Sequence, residues 1–228
     1  MRAGVLLCLT ICCGCIFAQE ARFTKKLDKY CKSAVQSFRA INDERRSVLD
    51  KMANEMTVKR YVVFGCKTNS RRTVLLQVWA QTAFYYFGLY DRNAFSIGDT
   101  VTPVYEGVAE VLSETGFYVS KLANADPNGY LIAISRDYPE SIVASKTTLG
   151  TLDTSIVLVV NICDEKEPAG LLSKFSIVHL PYASPVIYEE TLREKARYRQ
   201  LNRTIAVEML YLAYRIRRQL IEKYSLRY

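Results

Sequence analysis

Apolar residues follow two rhythms along the chain. From Phe23 to about Met56 they recur every three or four positions, at Phe23, Leu27, Tyr30, Ala34, Phe38 and Ile41, with Lys, Arg, Asp and Glu between them. That spacing predicts one long helix, or two joined near Asn42-Asp43. Tyr61–Phe64 is a short apolar, β-prone run, and Arg72 to about Leu89 is a helix rich in Val74, Leu75, Val78, Trp79, Phe84 and Tyr85. Residues 94–98 read as a strand. Pro103 opens a helix through Leu112, ended by Gly116 as a C-cap. Asp126-Pro127-Asn128-Gly129 reads as a turn before a strand over Tyr130–Ile134. Ser155–Ile162 is the most apolar strand and Phe175–Leu180 another. Glu189–Tyr224 forms a long terminal helix carrying Ile205, Met209, Leu212, Ile216 and Leu220.

Strands that are apolar throughout are buried on both faces, and here they alternate with helices. The pattern predicts an α/β fold over residues 60–228: a mostly parallel sheet covered by helices in three layers, preceded by a helical extension over 19–59. Sites in such sheets lie at the carboxyl ends of strands. Cys66 ends the first strand and Cys163 ends the strand that closes at Ile162, so two cysteines fall on that edge.

The first residues follow another logic. MRAGVLLCLTICCGCIFAQE has one positive charge at Arg2, an apolar run from Val5 to Phe17, then Ala18-Gln19-Glu20. This is the layout of a secretory signal peptide cleaved after Ala18, and the run is short for a membrane span. Cys15, after Gly14, is a second candidate, for a lipidated N-terminus. The expectation is an exported protein, periplasmic or secreted, soluble or lipid-anchored, with no transmembrane helix in the mature chain. Cys8, Cys12, Cys13 and Cys15 then leave with the leader, and Cys31, Cys66 and Cys163 remain. Three widely spaced cysteines make no disulfide framework, and an odd number leaves at least one thiol unpaired.

Composition narrows the partners. The net charge is +8, with much of the excess near the C-terminus at Arg193, Lys195, Arg197, Arg199 and Arg203. This is read as a solvated helix face. No nucleic-acid module interleaves basic and aromatic residues, so no nucleic-acid partner is expected. His179 is the sole histidine, which excludes a His-rich metal site. Neither a Walker motif nor a dinucleotide fingerprint occurs, and no metal or cofactor is expected. Asn202-Arg203-Thr204 is a formal glycosylation triplet inside a helix and is discounted.

The stretch YVVFGCKTNSRRT, Tyr61–Thr73, carries the candidate chemistry. In a strand–loop–helix unit the loop amides and the helix N-terminus form a cradle for a tetrahedral oxyanion. A cysteine at the start of that loop has its thiolate stabilised by the same field. Arg72 offers a two-pronged fork to anion oxygens. Asn69 is placed to hold the loop's shape, and Thr73 to donate its hydroxyl to the sulfur. Together they form a nucleophile aimed at phosphorus, or arsenic, in a bound oxyanion.

With Cys66-Lys67-Thr68-Asn69-Ser70-Arg71-Arg72-Thr73, the chain resembles the low-molecular-weight protein-tyrosine-phosphatase superfamily, which includes the thiol-dependent arsenate reductases. The likeness continues through Phe95–Ser120, with its Ser-x-Gly turn and proline-led helix ending in Glu-x-Gly, and through SIVLVVNIC, LPYASP and the terminal helix. It covers about Arg60–Tyr224. The resemblance implies that Cys66 attacks phosphorus to form a cysteinyl-phosphate. It implies that Arg72 clamps the anion, that Lys67, Thr68, Asn69, Ser70 and Arg71 line the cradle, and that Thr73 supports the sulfur. The ligand it implies is phosphate or a phosphorylated substrate.

Two departures matter. The family's acid-loop aspartate is matched by Ser184, in Ala183-Ser184-Pro185, and a serine is far too weak an acid for that role. General acid–base help is typically about 10²–10⁴-fold. Glu189 and Glu190 are possible substitutes, against the plainer reading that they favour a helix start. Cys163 stands where the reductases keep a second cysteine, but the third is missing from Asp164-Glu165-Lys166-Glu167-Pro168. A Cys66–Cys163 disulfide would switch the site off. Three readings follow: an exported phosphatase acting weakly on phosphotyrosine or aryl phosphates; a pseudoenzyme that binds phosphate or a phosphorylated partner; and a reductase-like thiol protein using Cys66 and Cys163. Cys31 is read as packing, His179 as a satisfied core or loop histidine, and Tyr182 and Tyr188 as candidate pocket walls.

Overall fold

The computed structural model of the protein describes residues 23–100, 102–122, 129–135, 142–143, 153–163 and 177–225. The expected leader, the Asp126-Pro127-Asn128 part of the expected turn, and the first two residues of the Phe175–Leu180 strand lie outside these.

The N-terminal rhythm makes two helices, α1 (Lys25–Gln36) and α2 (Asp43–Met56), because each has its own cap. Thr24 Oγ1 accepts from the Leu27 amide at 3.0 Å, and Asn42 Oδ1 from the Arg45 amide at 2.8 Å. Such caps satisfy amides that a helix start leaves without partners. Leu27, Cys31 and Ala34 of α1, and Leu49, Met52 and Met56 of α2, enter the main core. The extension is therefore part of that core.

Four strands, β1 (Tyr61–Thr68), β2 (Asn93–Thr100), β6 (Val157–Asn161) and β7 (Ile177–His179), form a wholly parallel sheet in the order β2-β1-β6-β7. The protein is α/β, with a central parallel sheet flanked by helices, as the sequence pattern predicts. From β1 the chain moves outward to β2, then returns to β6 on the other side. The carboxyl ends of β1 and β6 thus form a topological switch point, where such sheets place their sites.

Helix α3 (Arg72–Tyr86) has thirteen of its fifteen residues buried, as expected of a helix apolar all round. Its two buried glutamines are used: Gln77 Oε1 accepts from Ser96 Oγ at 2.5 Å, and Gln81 Oε1 from the Ala94 amide at 2.8 Å. They fix α3 against β2. Helix α5 (Glu194–Ser225) packs on α1, α2, α3 and α4 (Glu106–Thr115). At their junction Asn202, 1% exposed, accepts from the Trp79 indole at 2.7 Å and donates to Thr115 Oγ1 at 2.9 Å. An asparagine so enclosed is no glycosylation acceptor in the folded chain. All five described α-helices contribute to the large core on one sheet face, while Val63, Ile97, Val157 and Val159 form a smaller cluster on the other, to which no described α-helix contributes; the second helical layer of the expected three layers is not seen among the described residues.

Two strands and two helix starts depart from expectation. Tyr130–Ile134 does not join the parallel sheet. It becomes β4 (Tyr130–Ala133), in a separate antiparallel sheet between β3 (Tyr118–Lys121) and β5 (Ile142–Val143). β3 is mostly exposed, so no apolar run announces it. Helix α4 begins at Glu106 rather than Pro103, because Tyr105 is held extended (φ −66°, ψ 136°), its amide bonded to the Ser70 carbonyl at 3.0 Å. Helix α5 begins at Glu194 rather than Glu189, because Glu190 takes a left-handed φ of 60° that no helix continues through. Gly116 does close α4, at a φ of 116°.

Candidate active site

β1 runs past Cys66 to Thr68, because β2 continues to pair with it as far as Thr100. On the β6 side pairing stops earlier, at Gly65 opposite Asn161, and the last bond runs from the Ile162 amide to the Gly65 carbonyl at 3.1 Å. Cys66 is therefore the first residue of β1 with an open flank toward β6. Cys163 lies two residues beyond the end of β6, on that same flank. The two are joined as a disulfide, with Cα atoms 5.5 Å apart across 97 positions of sequence. Asn161 Oδ1 accepts from the Cys163 amide at 3.0 Å and shapes the turn that brings it there.

The loop after β1 is shorter than the sequence suggests. Lys67 and Thr68, expected in the cradle, are strand residues with exposed side chains; the turn proper is Asn69-Ser70-Arg71. Asn69 holds this turn: its side-chain Nδ2 donates to the Ser96 carbonyl at 3.1 Å. Gly98 lets the turn lie flat on β2, since a Cβ there would stand 2.5 Å from the Asn69 backbone nitrogen. The Thr73 hydroxyl, on the second residue of α3 and four positions after the asparagine, donates to Asn69 Oδ1 at 2.8 Å, not to the sulfur.

Arg72 reaches the thiol position. Its Nη2 is 3.5 Å from Cys66 Sγ, and its Nη1 donates to the Tyr182 carbonyl. Arg71, expected in the cradle, points instead toward the start of α5. It makes a two-pronged ion pair with Glu189 at 2.5 and 2.8 Å, donates to Ser70 Oγ at 2.9 Å, and lies 4.6 Å above the Tyr105 ring. The Tyr198 hydroxyl also donates to Glu189, at 2.6 Å. Burial alone would raise the Glu189 pKa, but the Arg71 fork and the Tyr198 hydroxyl outweigh it and hold the carboxyl below its ordinary range. An ionised, doubly bonded carboxylate is no general acid at neutral pH. Glu190, the other possible substitute, is exposed.

The segment Leu180–Pro185 passes beside both cysteines. The Leu180 amide donates to the Asn161 carbonyl at 2.8 Å and the Tyr182 amide to the Ile162 carbonyl at 3.3 Å. Ser184 is half-buried at the position of the expected acid. Tyr182 does not wall a pocket: its side chain is 5% exposed and its hydroxyl donates to Glu208 at 2.5 Å. Tyr188 is covered by Arg197, 4.6 Å above its ring. His179 sits on β7 with its side chain exposed. Cys31 is wholly buried in the core, where burial, and then Asp28, push its thiol up to about 12.

Sequence reasoning missed Arg45 and Glu208. Arg45 belongs to a helix assigned to packing, and Glu208 to the middle of a long terminal helix. The one signal was a carboxylate amid the apolar run Ile205–Leu212, where a buried charge needs a partner.

Fold and site together define an α/β protein with a paired-cysteine centre at the switch point of a parallel sheet, backed by an arginine at the head of the following helix. No family model matches the chain, and no curated protein matches it. Among solved structures the chain is similar to a crystal structure of an arsenate reductase from Archaeoglobus fulgidus. That structure is 18% identical, with 67% of this chain and 98% of that chain covered, at a TM-score of 0.45. A likeness so distant assigns neither family nor activity.

Proposed function

We propose that the chain is an exported relative of the low-molecular-weight phosphatase superfamily in which Cys66 and Cys163 act as a dithiol on a bound tetrahedral oxyanion. The observation that carries this is the Cys66–Cys163 bond itself, made at the strand ends where Arg72 stands 3.5 Å from the Cys66 sulfur. It moves the two-thiol reading ahead of simple phosphatase turnover. A phosphatase needs Cys66 reduced and an acid at hand, whereas Glu189 and Glu208, two carboxylates among the described residues that bond to Arg71 and Tyr182 beside the site, are both engaged.

With arsenate, the Cys66 thiolate bonds to arsenic as an arsenate hydroxyl, taking a proton from solvent, leaves as water. The Cys163 thiolate then attacks the Cys66 sulfur. The S–As bonding pair stays on arsenic, which is reduced from As(V) to As(III), and the disulfide forms. An external dithiol restores the pair. The apolar run Val5–Phe17 supports export. No described helix is long and apolar enough to cross a membrane.

The test uses reduced protein without oxygen. Arsenate should convert it to the Cys66–Cys163 disulfide with one arsenite released per bond, and Cys163→Ser should stop before release. No arsenate-dependent loss of thiols would sink the reading. A second reading, weak phosphatase action, is favoured by the Asn69–Arg72 turn. It predicts aryl phosphate turnover that survives Cys163→Ser, vanishes in Cys66→Ser and rises in Ser184→Asp. Phosphate that shields Cys66 from alkylation, with no reaction in either assay, would mark a binding pseudoenzyme.

A further inference from the structure

Arg45, on α2, makes three contacts at one place. Its Nε donates to Glu208 Oε1 at 2.9 Å, its Nη1 donates to the Pro181 carbonyl at 2.8 Å, and its guanidinium lies 4.2 Å above the Tyr182 ring. Glu208 Oε2 takes the Tyr182 hydroxyl at 2.5 Å. A carboxylate on α5 and a guanidinium on α2 thus grip one dipeptide, Pro181-Tyr182, by its backbone, its ring and its hydroxyl.

That dipeptide touches the site on its other side. The Tyr182 carbonyl accepts from Arg72, and the Tyr182 amide donates to Ile162, next to Cys163. The link from α2 to the sulfur therefore has two steps: Arg45 and Glu208 hold Tyr182, and Tyr182 holds Arg72. The pair is mostly enclosed, with side-chain exposures of 18% for Arg45 and 7% for Glu208. Surface ion pairs contribute little, but an enclosed pair sharing hydrogen bonds is costly to break from one side. Charge balance alone would need only Arg45 and Glu208. The bond to Pro181 and the stacking on Tyr182 do something more: they set where the loop lies.

We infer that Arg45 is a positioning residue for the dithiol site, acting through Tyr182 to hold Arg72 against the Cys66 sulfur. This rests on the thiol reading above and gives the N-terminal extension a part in it. With Arg72 held, the Cys66 thiolate is stabilised by a neighbouring positive charge. With Tyr182 released, Arg72 loses this one of its anchors, its hold at the sulfur loosens, and the thiol titrates higher.

The test compares reduced wild type, Arg45→Met/Glu208→Gln, Arg45→Lys and Tyr182→Phe. The double variant leaves no unpaired buried charge, so it is the one expected to fold. Iodoacetamide labelling of Cys66, read peptide by peptide across pH, gives the thiol midpoint. Thermal unfolding gives stability. The double variant should raise the Cys66 midpoint by about 1 pH unit and weaken protection by inorganic phosphate about tenfold. Tyr182→Phe should do the same in smaller measure. Arg45→Lys keeps the charge beside Glu208 but loses the fork, so it should recover stability and not the midpoint. A Cys66 midpoint unchanged in every variant, with only thermal stability lowered, overturns the inference. If phosphate and arsenate fail to protect even the wild type, the oxyanion reading falls, and the labelling midpoint still decides the role of Arg45.

Discussion

Reduction of the Cys66–Cys163 bond gives a stability change that can be worked out in advance. The bond spans 97 positions, so it closes α3, β2, α4, the antiparallel sheet and β6 into one loop. In the chain-entropy account, a loop of about 100 residues restricts the unfolded chain by roughly 4.7 kcal/mol. The folded state loses little on reduction, because Ile162 still donates to Gly65, and Leu180 to Asn161, with the sulfurs apart. Nearly all of the effect should therefore appear as lost stability. For a urea dependence of about 2 kcal/mol per molar, the unfolding midpoint should fall by roughly 2 M. The assay is urea unfolding followed by circular dichroism on oxidised protein, on protein reduced with a phosphine, and on Cys163→Ser. The last two should coincide, since both open the same loop. A midpoint shift below about 0.5 M would refute the reasoning: either the bond does not persist in solution or the unfolded chain is restricted by something else.

Other outcomes follow from single contacts. Gly98→Ala places a methyl 2.5 Å from the Asn69 backbone nitrogen and 3.0 Å from Asn69 Cβ, so it should cost about 1–3 kcal/mol in urea unfolding and disturb the Asn69 turn. The folded Glu189 carboxyl titrates below its ordinary range. Its ion pair with Arg71 therefore supports folding above the unfolded carboxyl pKa of about 4.3 and is lost as pH falls through the folded value. Glu189→Gln should flatten stability against pH in that acid window and nowhere else. Cys31 is buried, with its thiol pushed up to about 12. In native reduced protein, mass spectrometry should find Cys66 and Cys163 alkylated and Cys31 alkylated only after unfolding; early labelling of Cys31 would contradict its place in the core.

Much of this protein is set by short-range chemistry and is legible in its sequence. Tyr61–Phe64 and Val157–Val160 have no polar face, so they can only be sheet interior, and their alternation with helices makes the sheet parallel. Asn42 and Gly116 end or begin helices through bonds a few residues long. The strand–turn–helix from Cys66 to Arg72 is equally local, which is why the thiol and its arginine stand out in a linear reading. Tertiary structure alone decided the rest, because it depends on contacts that no periodicity encodes. Arg71 leaves the cradle only because Glu189, 118 positions away, captures its fork. β1 runs past Cys66 only because β2 stays paired with it. Arg45 and Glu208 lie 163 positions apart, on helices whose rhythms say only that they pack. Their charges stay buried because each answers the other, and the loop they enclose is the one that holds Arg72 at the sulfur.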